Sequence, residues 1–300
     1  REASVTGENS PIYSELHKHK AGTPTMGGWL FILIMAIMIS VSFLLRWKWW
    51  TNFSLVTRSE TYVLLFGFFS MGLIWIIDDF LNIRGKWKIK WLSAKAKLIG
   101  MFLFAGFISR WFYTKLGVDY INLWPIAGKI DIGIFFPILT FFMTISIVNA
   151  INITDGLDGL AGWLMSIILF VLAIVLFVNG TYLATTIIGI TIATLIAFMF
   201  FNINPAKIFM GDSGALALWW LLSSLLYILN MRMGIFIPFL LIFALFIIDT
   251  WSSFLQILSK KYLKRKIFPT APLHHLLEHK WLAEHTIVMK AWMIQWILAA

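Results

Sequence analysis

The sequence predicts an all-α polytopic membrane protein, and three observations carry that prediction. Hydrophobic residues make up 60% of the 300-residue chain and charged residues only 13%, with a mean hydropathy of +0.85. A soluble domain is about half apolar and a quarter charged, so a soluble enzyme and a disordered chain are both excluded. The apolar residues also fall in continuous runs of roughly 20, the length a helix needs to cross a bilayer. A membrane barrel shows short alternating strands instead. Backbone groups in lipid must be satisfied within the chain, so continuous runs of this kind are helices.

Nine such runs follow in order, at roughly 27–46, 61–78, 96–113, 133–150, 160–178, 182–201, 214–229, 234–257 and 286–300. The first begins at the glycines of MGG, the second closes on the paired acids of WIIDDF, and the eighth carries Asp249 in its interior. Longer polar stretches occur only at 1–26, 79–95, 114–132 and 258–285. Nothing repeats and no low-complexity linker divides the chain, so 1–300 is expected to be one membrane domain. Arg1 and an apolar run cut at Ala300 read as the ends of a fragment.

Alternate loops must share a side. The set made of the tail 1–26, the loop 79–97, the turns near 149–159 and 202–213, and the loop 258–285 holds sixteen Lys and Arg; the other set holds seven. Basic loops stay in the cytoplasm, so the first set is expected there. The same logic reads the net charge of +10 as attraction to anionic lipid, with no nucleic acid as partner. Cysteine is absent, which removes disulfides, thiolate catalysis and Cys-ligated metals.

Five of the eight aspartates stand at span ends on that cytoplasmic side: Asp78, Asp79, Asp155, Asp158 and Asp212. A carboxylate beside hydrocarbon is costly and is by default a functional hypothesis. A single one of these could be a helix N-cap, but five on one face point to a site. Clustered carboxylates with no thiolate suit a hard cation, Mg²⁺ before Zn²⁺. HKHKAGTPTMGG at 17–28 adds Lys20, two threonines and glycines that let backbone approach a phosphate. Lys95 and Lys97 follow the acid pair, although a lysine at a membrane boundary is more often a snorkelling residue. PLHHLLEHK places His274 four residues before Glu278, on one helical face. Anion binding or proton traffic suits these histidines better than zinc, which lacks a third ligand here. For Asp249 an interhelical hydrogen bond is the expected role. From the residues alone, the chain reads as a membrane enzyme that joins a water-soluble phosphorylated donor to a lipid.

GTPTMGG, the DD pair, NAINITDGLDGLA, NINPAKIFMGDSG and APLHHLLE occur in that order between spans, from about residue 17 to residue 290. Together they resemble the phospho-N-acetylmuramoyl-pentapeptide transferase (MraY) family of polyprenyl-phosphate hexose-1-phosphate transferases. The resemblance implies transfer of phospho-MurNAc-pentapeptide from UDP-MurNAc-pentapeptide to undecaprenyl phosphate, giving lipid I and UMP. It implies ten spans in the intact protein, a cytoplasmic cleft in the bacterial cell membrane, and a homodimer. By motif position, Asp212 holds Mg²⁺, Asp78 is the base with Asp79 beside it, and His274 and His275 flank the catalytic acids. Gly156, Leu157, Asp158 and Phe209 frame the uracil, while Lys20, Thr25, Asn152, Asp155 and Asn202 surround the ribose and diphosphate. Lys97 faces phosphate. Direct attack is the expected course, since a metal-organised in-line displacement requires no enzyme nucleophile.

The alternatives are a sister transferase using UDP-GlcNAc, against which GTPTMGG and the histidine loop argue, and a transporter. A transporter places its polar site at the midplane, whereas here only Asp249 is deep. The sequence departs from the family in two ways. The third residue of the histidine motif is Leu276, and Trp91, Trp163, Trp219, Trp220 and Trp281 stand where glycine is common. A UGA codon read as glycine in the source organism is one hypothesis for the tryptophans, and peptide masses of the natural protein decide it. Otherwise overpacking costs about 1–3 kcal/mol at each tight site.

Overall fold

The computed structural model describes residues 20, 22–49, 55, 59–84, 94–280 and 282–300. Every apolar run becomes helix: α1 (Trp29–Trp49), α2 (Ser59–Arg84), α3 (Ala94–Thr114), α4 (Phe135–Thr154), α5 (Leu160–Val178), α6 (Tyr182–Asn202), α7 (Gly211–Met233), α8 (Phe236–Ile242), α9 (Ala244–Leu258), α10 (Leu273–His279) and α11 (Glu284–Ala299). Among the described residues four helices, α4 to α7, are long and apolar enough to cross a membrane, and the bent pair α8–α9 makes a fifth. The protein is therefore mostly helical and polytopic.

Two features add detail to the expected all-α fold. The loop 114–132 forms a hairpin of β1 (Tyr120–Asn122) and β2 (Lys129–Asp131), with Ile121 opposite Ile130. Its backbone is anchored from outside: Asn230 Nδ2 donates to the Tyr120 carbonyl at 3.0 Å and Asn230 Oδ1 accepts from the Asn122 amide at 2.8 Å. The run 234–257 is also not one straight helix. It bends by 69° between α8 and α9. Phe239, Phe243 and Phe246 are buried and stack in succession across the bend, with centroids 6.0 and 4.7 Å apart. Offset aromatic stacking of this kind holds a break that a continuous backbone ladder would otherwise close.

The centre of the bundle is α7, 94% buried over its apolar window. Its polar groups are satisfied by neighbours, as burial demands. Tyr227 donates to the Thr140 carbonyl at 2.7 Å, and its oxygen lies 2.6 Å from Thr144 Oγ1. Trp219 and Trp220 are fully buried, yet their indole N–H groups reach the Thr144 and Val63 carbonyls, both at 2.9 Å. Trp220 fits because residue 67 is glycine: a Cβ there would stand 1.4 Å from the indole nitrogen. Overpacking is thus relieved at 220 by an opposing small residue. Trp163 fares differently, packing against Trp292 with ring centroids 4.7 Å apart and with no acceptor for its N–H among the described residues. Trp91 and Trp281 lie outside the described residues.

Candidate active site

Helices α2 and α7 run antiparallel, and their register sets the first part of the site. Glu60 at the start of α2 pairs with Arg232 at the end of α7. Further along, Val63 and Gly67 meet Trp220, and Gly72 faces Ala217. Continuing six residues up α2 and five down α7, at about 1.5 Å per residue, brings Asp78 to the level of Asp212. Asp78 is fully buried and Asp212 half-buried. Asp212 sits in the first turn of α7, where exposed amides and the helix dipole favour a negative charge.

The second part is an ion cluster. Lys20 Nζ lies 2.8 Å from Asp158 Oδ1 and 2.6 Å from Glu284 Oε1. The Asp158 amide donates to the same Glu284 oxygen at 2.5 Å, and Asn204 Nδ2 reaches Glu284 Oε2 at 3.1 Å. Asp158 Oδ2 accepts from the Ala206 amide at 2.9 Å and from Asn204 Nδ2 at 3.2 Å. Burial alone would lower the Lys20 pKa, but hydrogen bonds to Asp158 and Glu284 outweigh it and hold the ammonium above its usual value. One carboxylate at the start of α11 thereby fastens the N-terminal loop, the α4–α5 loop and the α6–α7 loop. Glu284 and Asn204 are members of this cluster that the sequence alone did not single out.

The GTPTMGG segment lies against the entrance to α7. Phe209 donates its amide to the Pro24 carbonyl and accepts from the Gly27 amide, while Gly28 donates to the Met210 carbonyl, all at 2.8 Å. A Cβ on Gly28 would stand 2.1 Å from Gly214 Cα, a backbone atom that cannot swing aside. The close approach these glycines permit is of chain to chain. It carries Thr25, which is exposed, to the neighbourhood of Phe209, which is half-buried.

At the end of α4, Asn152 is half-buried and Asp155 turns the helix off, its amide still bonded to the Ile151 carbonyl at 3.0 Å. Leu157 and Asp158 are buried. Asn202, at the end of α6, accepts from the Gly159 amide at 3.1 Å and donates to the Ile208 carbonyl at 2.9 Å, so both amide atoms tie loops together. Gly156 is met by the His274 ring: a Cβ there would lie 2.5 Å from His274 Nε2.

The histidine loop differs from its spacing. Glu278 pairs with His275, three residues away, at 2.7 Å. His274 instead turns inward to Asp249, its Nδ1 2.8 Å from Asp249 Oδ2. Asp249 does make the expected interhelical bond, accepting from Thr154 Oγ1 at 3.1 Å, and the histidine is its second partner. Burial pushes the His275 imidazole below its usual pKa, with Glu278 opposing in part and His274 adding to the depression.

Lys20, Thr25, Asn152, Asp155, Gly156, Leu157, Asp158, Asn202, Phe209, Asp212, Asp78, His274 and His275 thus belong to segments gathered at one end of the bundle, opposite the hairpin and the Glu60–Arg232 pair. Asp79 and Lys97 lie in α2 and α3, but their side chains, like Lys95, are outside the described ones. Among the described residues no three acidic or histidine side chains converge closely enough to hold a metal by themselves. An oxygen-only pair such as Asp78 and Asp212 still fits Mg²⁺, which binds through one or two carboxylates plus substrate phosphates and water.

Comparison with known sequences supplies the family. The sequence model of Glycosyl transferase family 4 matches residues 61–230, and the phospho-N-acetylmuramoyl-pentapeptide-transferase signature 1 matches residues 20–32. The chain is 34% identical over 275 residues to the phospho-N-acetylmuramoyl-pentapeptide-transferase of Clostridium perfringens (strain SM101 / Type A), covering 91% of this chain and 79% of that protein. It is 32% identical over 289 residues to the one of Oceanobacillus iheyensis, covering 94% and 83%. For the one of Thermoanaerobacter sp. (strain X514) the identity is 33% over 279 residues, covering 93% and 82%. With more than half of its length matched by the family model and nine-tenths of it aligned to such relatives at about one-third identity, the chain belongs to the phospho-N-acetylmuramoyl-pentapeptide-transferase family.

Proposed function

We propose that this protein transfers phospho-MurNAc-pentapeptide from UDP-MurNAc-pentapeptide to undecaprenyl phosphate, releasing UMP and forming lipid I, in a cytoplasmic cleft of a bacterial membrane. The observation that carries the reading is the gathering of Asp78, Asp212, the Lys20–Asp158–Glu284 cluster and His274 at one end of an apolar bundle. A lipid acceptor arrives through the apolar flank, and an anionic nucleotide arrives from water.

In this reading the helices make nine crossings, and the protein works as a homodimer. Mg²⁺ held by Asp212 would supply charge stabilisation at the diphosphate. Asp78, with Asp79 next to it, takes the proton from the lipid phosphate. The freed oxygen attacks the sugar-linked phosphorus, and the bond to the uridine-bearing phosphate breaks as UMP leaves. Lys20 and Lys97 offset phosphate charge. Phe209 stacks on the uracil with Gly156, Leu157 and Asp158 around it, and Thr25, Asn152, Asp155 and Asn202 face the ribose and diphosphate. His274 and His275 border the acids. Chelating Mg²⁺ is expected to stop UMP release from the reconstituted protein and readdition to restore it; release that persists in chelator contradicts the metal assignment.

A further inference from the structure

We propose that Asp249 is a positioning residue that fixes the tautomer of His274 and thereby makes Nε2 a hydrogen-bond acceptor for the substrate. The inference rests on the transferase reading and deepens it, because Asp249 belongs to none of the motifs that carry that reading.

Asp249 sits in α9, just beyond the bend, and is buried, as is His274. Both carboxylate oxygens are committed to donors. Oδ2 accepts from Thr154 Oγ1 at 3.1 Å and lies 2.8 Å from His274 Nδ1, while Oδ1 accepts from the His274 amide at 3.2 Å. An ionised carboxylate can only accept, so the proton between Asp249 and the ring belongs on Nδ1. The neutral imidazole then carries its lone pair on Nε2. The amide bond to the same carboxylate fixes the position of the residue as well as its tautomer.

Nε2 is the informative atom. It is buried and has no hydrogen-bond partner among the described residues. A polar atom left so costs about 1–3 kcal/mol, and such atoms in native folds call for an explanation. It lies over Gly156, where a Cβ would come within 2.5 Å of it. Gly156 belongs to the α4–α5 loop, whose Asp158 is in the Lys20 cluster. The lone pair is therefore aimed at the segment beside the donor site, where a hydroxyl or a protonated phosphate oxygen could donate to it. His275 does not compete for Asp249, since its own Nδ1 is engaged by Glu278.

The arrangement predicts coupling of a particular kind. In membrane-reconstituted protein, Asp249→Asn should lower kcat for UMP release by about 10- to 100-fold, by analogy with the loss of a carboxylate that orients a metal-ligating histidine. In a His274→Gln background the same change should have less than about a twofold effect, because Asp249 acts through the ring. Asp249→Glu should recover part of the activity. Equal losses in both backgrounds, or an unchanged kcat, would overturn the proposal. ¹⁵N-histidine NMR of the unmodified protein gives a readout free of activity: a resting His274 protonated on Nδ1 alone supports it, and one protonated on Nε2, whether alone or as the imidazolium, overturns it. If the unmodified protein releases no UMP, the transferase reading fails while the tautomer measurement still decides the positioning.

Discussion

Asp212→Asn is expected to reduce UMP release by roughly 1,000-fold or more, about 4 kcal/mol of transition-state stabilisation. The side chain keeps its size and its place in the first turn of α7, so packing against α2 should hardly change. What disappears is one negative charge at the level where Asp78 enters from α2. A cation site built from one or two carboxylates has no spare ligand, so asparagine should weaken Mg²⁺ retention as well as turnover. The check is turnover over a Mg²⁺ titration with thermal unfolding in the same detergent. Loss of activity with an unchanged melting midpoint fits the assignment. Activity within tenfold of the parent would remove Asp212 from the metal site.

Lys20→Met is expected to produce the largest loss of stability. Lys20 has 11% of its side chain exposed, Glu284 has 10%, and Asp158 has 2%. Removing one partner from a buried ionic group leaves the others uncompensated, which costs about 3–5 kcal/mol. Here two carboxylates would be left facing each other with only amide donors. The expected result is a clearly lowered melting midpoint and a raised KM for the nucleotide donor. Adding Asp158→Asn to Lys20→Met should return part of the midpoint, because one of the stranded charges is then gone; a further fall would contradict the cluster. The pH dependence has a definite sign. The folded pKa of Lys20 is raised, so its contribution is complete below the unfolded value of about 10.4 and is lost only as pH climbs through the folded value. Between about pH 6 and pH 9 it adds no slope to the unfolding curve.

Much of the helical scaffold was legible because lipid and core demand the same thing of a sequence, long apolar runs, and nothing else in the chain competes with them. The hairpin was not legible. Its strands have three residues each, too short for alternation to register, and its pairing depends on Asn230, more than a hundred residues away. The bend at Phe243 was hidden for a related reason: α8 and α9 are both apolar, and hydropathy carries no direction. Among the site residues, the acids at span ends announced themselves by being costly there. Glu284 did not, since an acid in the first turn of a helix is an ordinary complement to the dipole. The spacing of His274 and Glu278 pointed to a pair on one face, yet the ring turned to Asp249, a partner supplied by tertiary packing across the bend. GTPTMGG was read as a phosphate cradle because glycine invites close approach; what approaches is the backbone of residues 209–214.

The central claim is the donor. UMP release should be measured from the protein in bilayers with Mg²⁺ and undecaprenyl phosphate, offering UDP-MurNAc-pentapeptide and UDP-GlcNAc separately. Release is expected from the muramoyl-pentapeptide donor alone, and only when the lipid is present. Release from UDP-GlcNAc, or from neither donor, would contradict it.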